Sequence, residues 1–150
     1  MLILVLIISC GVKEKQVSPE TVQAFQTILT ENQKVFQAII KDSYKTPDLQ
    51  GLISSLEVAQ NTVPEEGLKR ALEEETRILL DSKKLEKEPF YEAYSRFVEH
   101  MSVSMKTAGL NISEYNRFYC PMVKKYWMAK GTEVENPFAP EMRDCGEISN

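Results

Sequence analysis

A single histidine, His100, stands in the whole chain, so histidine-rich metal centres are excluded and a catalytic triad or Cys-His pair has no spare base. Glycine is scarce at six residues, and none of the six builds a phosphate-cradling loop or a dinucleotide fingerprint. There is no HExxH pattern and no CxxC pair. No apolar run is long enough to cross a bilayer, which takes about twenty residues as a helix. The net charge of −4 and pI near 5.2, with charges interspersed rather than gathered on a basic face, exclude a nucleic-acid role. Paired carboxylates such as Glu65/Glu66 and Glu73 to Glu75 sit in a chain that is 27% charged, and a solvated helix face accounts for them without catalysis. An enzyme is not expected.

What is present begins at the N-terminus. Leu2 to Ile8 is an unbroken apolar run placed where a signal-peptide core belongs. It leads into Ile7-Ile8-Ser9-Cys10-Gly11, which looks like a bacterial lipobox, in which Cys10 is acylated and becomes the first mature residue. Residues 1–9 are therefore expected to be a lipoprotein signal peptide, 10–17 a lipidated cysteine and polar tether, and 18–150 one domain, the mature chain of about 140 residues being enough for a single core. The membrane is then a partner through lipid on Cys10, and the location periplasmic or outer-membrane. With Cys10 assigned to lipid, Cys120 and Cys145 remain as a pair in an oxidising compartment, where two thiols form a disulfide if geometry permits.

The domain reads as helical. Ser18-Pro19-Glu20 is an N-cap followed by proline at the first helical position, and Val22, Phe25, Leu29, Phe36, Ile39 and Ile40 recur at three- and four-residue steps. Thr46-Pro47-Asp48 repeats the start signal for a second helix ending near Asn61. Pro64-Glu65-Glu66 opens a third, with Leu68, Ala71, Leu72, Ile78 and Leu79 buried and Glu73, Glu74 and Glu75 largely on the wet side; the charged run from Asp81 to Glu88 continues or frays it. A fourth is placed from Pro89 to Ala108, with Phe90, Tyr94, Phe97, Met101 and Met105 as its stripe and Gly109 at C′. The expected fold is all-α: an antiparallel four-helix bundle, with an irregular, aromatic- and sulfur-rich tail packed on it.

That tail sets two readings side by side. Cu(I) and Ag(I) prefer thiolate, thioether and imidazole donors, and the candidates are Cys120, Met122, Met142 and Cys145 with His100 and Met101 from the fourth helix. Residues 100, 101, 104 and 105 share one side of a helix, so His100 stands beside Met101 and Met105 if the tail brings Met122 near. Against this, a methionine stripe in register with Tyr94 and Phe97 packs a core, and Cys120–Cys145 as a disulfide makes the tail a staple without metal.

Tyr119-Cys120-Pro121-Met122, then Trp127, Asn136-Pro137-Phe138 and Met142-x-x-Cys145-Gly146 together resemble the C-terminal signature of an uncharacterised helical domain family of Bacteroidetes-type bacteria. That domain occurs alone as an exported protein or fused to periplasmic adaptor subunits of copper and silver efflux pumps. The resemblance is firm over about the last thirty residues and faint over the helices, where it touches Arg96-Phe97 and Met101-Ser102. Phe138 stands where the family has Tyr, and Ala139-Pro140 replaces a glycine-containing turn. The resemblance implies a four-helix bundle with a cysteine-bearing tail, a role near heavy-metal handling, and an adaptor or other metal-efflux protein as partner. The alternative is a structural or protein-interaction lipoprotein that binds no metal.

Overall fold

The computed structural model describes residues 17–42 and 45–149. Ser18 is the N-cap of helix α1 (Pro19–Lys41), its hydroxyl accepting from the Thr21 amide at 3.1 Å, with Pro19 where a missing N–H costs no helical bond. Helix α2 (Gln50–Thr62) starts later than Thr46-Pro47-Asp48 predicts. The Asp48 carboxylate accepts from the Gln50 amide at 2.9 Å, so it serves the first helical turn from outside rather than opening the helix itself.

Helix α3 (Glu66–Ser82) ends within the charged run, which turns at Lys83 and Lys84 and enters α4 (Lys87–Ala108) two residues before Pro89. Pro89 thus occupies the first turn, where backbone donors lack intrahelical partners in any case. At the other end Gly109 takes φ 73°, and the Leu110 amide donates back to the Met105 carbonyl at 2.9 Å. That left-handed stop favours glycine.

The all-α expectation fails in the tail, which is a three-stranded antiparallel sheet in the order β2-β1-β3. Strand β1 (Tyr115–Cys120) pairs with β2 (Lys125–Lys130), and a two-residue β3 (Glu147–Ile148) joins the other side of β1. The protein is mostly helical but not purely so.

Helix α1 packs on α2, α2 on α3 and α3 on α4, while β2 lies against both α4 and α1. The strand is the fifth stave of the bundle. Its outer edge is met by helix side chains: Ser95 accepts from the Tyr126 amide at 2.8 Å, Asn32 donates to the Met128 carbonyl at 2.9 Å, and Gln33 accepts from the Lys130 amide at 2.9 Å. Three edge groups that a lone hairpin would leave to solvent or to another chain are thereby satisfied. The Tyr94 hydroxyl donates to the same Asn32 at 2.7 Å, so one buried amide ties α1, α4 and β2 together. Burial pushes the Tyr94 phenol well above its ordinary value.

Candidate functional site

The residues that give the tail its signature converge on one structure. Cys120 ends β1 and is fully buried; Cys145 comes back beside it, Cα atoms 5.7 Å apart, and the two form a disulfide. Between the strands the chain turns through Pro121, Met122, Val123 and Lys124, where the Lys124 amide returns to the Cys120 carbonyl at 2.8 Å and Lys124 itself takes a positive φ of 54°.

Asn136 is buried and fixes the returning segment, its backbone amide donating to the Arg143 carbonyl at 2.7 Å. Its carboxamide oxygen accepts from the Phe138 amide at 2.9 Å, its side-chain nitrogen donates to the Cys145 carbonyl at 3.0 Å, and its backbone carbonyl receives Arg143 Nη1 at 2.6 Å. Arg143 also reaches the C-terminal end of α1, donating to the Ile40 carbonyl at 3.2 Å. Asn136 thus aims Phe138 into the bundle, where its ring lies 5.1 Å from Tyr91 on α4 and 6.2 Å from Trp127 on β2. Trp127 in turn stacks on Phe118 at 5.4 Å. Gly146 passes so close that a Cβ there would stand 2.5 Å from the indole, which explains the glycine after Cys145 by space rather than chemistry.

The proposed soft donors are distributed differently. Met101 is fully buried in the core, Met142 is half-buried in a short 3-10 turn (Pro140–Met142), and His100 is exposed on α4. Met122, at the hairpin tip, is 69% exposed, more than a side chain enclosed by fellow ligands retains. With both sulfurs of Cys120 and Cys145 bonded to each other, neither is a thiolate. Nor do the described residues contain a group of three or more His, Cys, Asp or Glu able to hold a metal ion. Two of the six donors are thus taken up in the disulfide, and a third, Met101, is enclosed in the core. Met105 and Met128 pack in the core, as the methionine-stripe reading holds for Met105. Cys10 lies outside the described residues.

One residue that sequence reasoning placed in solvent is buried. Glu75 on α3 is fully enclosed; Ser104 of α4 donates to its Oε1 at 2.6 Å, and Oε2 has no partner. Burial outweighs that hydrogen bond and lifts the carboxyl from 4.5 to about 7. The signal was available, since Glu75 lies three and seven residues beyond Leu72 and Leu68 on the buried stripe of α3. The run of three glutamates hid it. Glu74, by contrast, is held below the usual carboxylate range by its hydrogen bond from Arg77.

What fold and site define is a small helical protein closed by a disulfide-pinned sheet, whose conspicuous residues are occupied in packing. Among the described residues no helix is long and apolar enough to cross a membrane. In comparisons with known proteins, the chain matches no family model, no curated protein and no solved structure.

Proposed function

We propose that this chain is an exported, non-catalytic lipoprotein that works by binding another protein, with the Cys120–Cys145 disulfide holding its tail in the bundle. The observation that carries the reading is the use of Cys120, Trp127, Asn136, Phe138, Cys145 and Gly146 in a single packed unit, which leaves none of them free for chemistry. A disulfide belongs to an oxidising compartment, and Cys10 supplies the tether there. Metabolic labelling with a palmitate analogue should tag the wild type and not Cys10→Ser. Maleimide should find Cys120 and Cys145 blocked in native, unreduced protein, whereas free reaction of both thiols would sink the reading.

A soft-metal role keeps one observation in its favour: Met122 is a soft donor of the signature whose side chain the packing leaves exposed. On this second reading Met122 is a thioether presented to donors of a metal-efflux partner such as a periplasmic adaptor, with Cu(I) or Ag(I) as the cargo. Met122→Leu should then abolish metal-dependent association with that partner and Met128→Leu should not. Association that ignores both metal and Met122 removes this reading.

A further inference from the structure

Between the C-terminal half of α4 and the sheet runs an open groove of about 430 Å³, with Val103 and Leu110 as its accessible apolar surface above the nearly buried Met105 and Met128. The charged side chains lining it are Lys106 and Arg117, and among the described residues no carboxylate joins them. That is the reverse of the chain's balance of 22 acidic against 18 basic residues. It is also the reverse of two other grooves: Glu20 and Glu31 are the charged lining between α1 and α2, and Glu65 and Glu66 the charged lining beside the start of α3.

Arg117 is held in place by uncharged groups. Its Nε donates to the Ser149 carbonyl at 2.8 Å, Nη2 reaches the Ser149 hydroxyl at 3.3 Å, and the guanidinium lies 5.0 Å from the centre of the Tyr126 ring. Those acceptors are uncharged. Among the described residues no carboxylate pairs with Arg117 or Lys106, although Lys34, Lys69, Arg77, Lys125 and Lys130 all have one. A fixed guanidinium with uncancelled charge is suited to carboxylate recognition, since part of the ordering cost has been met before binding. Val103 on the rim is 62% exposed, so the wall is low. An open trough suits a length of polypeptide better than a small molecule, which needs most of its surface enclosed.

We propose that this groove docks a segment of a partner protein in which carboxylates alternate with apolar side chains, the acids meeting Arg117 and Lys106 and the apolar groups meeting Val103 and Leu110. The proposal rests on the reading of the chain as a protein-binding module and names the chemistry of its partner. Charge complementarity of this kind acts mainly on association rate and specificity, so binding weakens with added salt.

The test uses fluorescence anisotropy of the oxidised chain with two labelled peptides, one alternating Glu with Leu and one alternating Lys with Leu. The acidic peptide is expected to bind, and Lys106→Glu to weaken it by about tenfold, the order of effect for reversing a charge that meets an opposite one. The Lys106 side chain is exposed in the last turn of α4, and among the described residues no hydrogen bond or ion pair holds it, so its replacement breaks no tertiary contact; a circular-dichroism melt of Lys106→Glu checks that the fold is kept. Glu20→Lys, in the groove between α1 and α2, should leave the affinity unchanged. Binding of both peptides alike, binding of the basic one alone, or indifference to Lys106→Glu overturns the groove assignment. Photo-crosslinking in cells from position 103 and from position 58 on α2 separates the two levels. Protein adducts from 58 alone reject the groove and leave the binding module standing, and adducts from neither position reject both.

Discussion

Glu75 is a residue at which folding and protonation are coupled within the physiological pH range. Its folded carboxyl titrates at about 7 against 4.5 for the ordinary group, so the native state holds a proton between those values that the unfolded state has lost. Stability from this group is fully present below pH 4.5, declines as pH rises toward 7, and is gone above it. The interval corresponds to about 3 kcal/mol at most. Glu75→Gln keeps an acceptor for Ser104 and removes the charge. Urea melts at pH 8 should show the variant more stable than wild type by a few kcal/mol at most, with the advantage shrinking toward pH 5. Gly146→Ala is the opposite case: its Cβ meets the buried Trp127 ring, and a loss of about 2 kcal/mol is expected from overpacking. Asn32→Leu should cost a similar amount, about 2 kcal/mol, because the Met128 carbonyl and Tyr94 hydroxyl lose their partner inside the core.

At the scale of elements, the four helices were legible because proline and glycine punctuate them and apolar residues repeat at helical spacing. Ser18-Pro19 and Gly109 mark their ends as expected, while α2 and α4 differ in their starts by the local chemistry of Asp48 and the tolerance of a first turn for Pro89. The sheet was not legible. Alternation of apolar and polar residues reveals a strand only when one face is wet, and β2 is covered on both, with Met128 and Ala129 buried in succession beside Trp127. Punctuation by Pro121, Gly131 and Pro137 then reads as loop, although those residues lie at turns between ordered segments. The Cys120–Cys145 pairing was legible by count, once Cys10 is set aside. The burial of Met101 and the exposure of His100 and Met122 were not, because they depend on which face of α4 is covered and on the hairpin that places Met122 at its tip. Closing a loop of this length, with a sequence separation of 25, stabilises by about 3 kcal/mol on the chain-entropy account. Cys120→Ser should lower the urea midpoint accordingly, and Cys145→Ser should do so by a comparable amount, since each removes the same bond.

For the whole molecule, the consequence is that tail and helices are one cooperative unit. Strand β2 fills the gap between α1 and α4, its edge satisfied by Asn32, Gln33 and Ser95, and Phe138 and Trp127 extend the aromatic core begun by Phe90, Tyr94 and Phe97. A tail bound as a separate appendage would melt first and leave a bundle behind. Trp127 is the chain's single tryptophan and lies in β2, while far-UV circular dichroism is dominated by the helices. Thermal unfolding of the oxidised protein followed by both signals is the most direct measurement. Coincident midpoints are predicted, as for a two-state domain; a tryptophan transition that completes while the helical signal is still native would contradict the account.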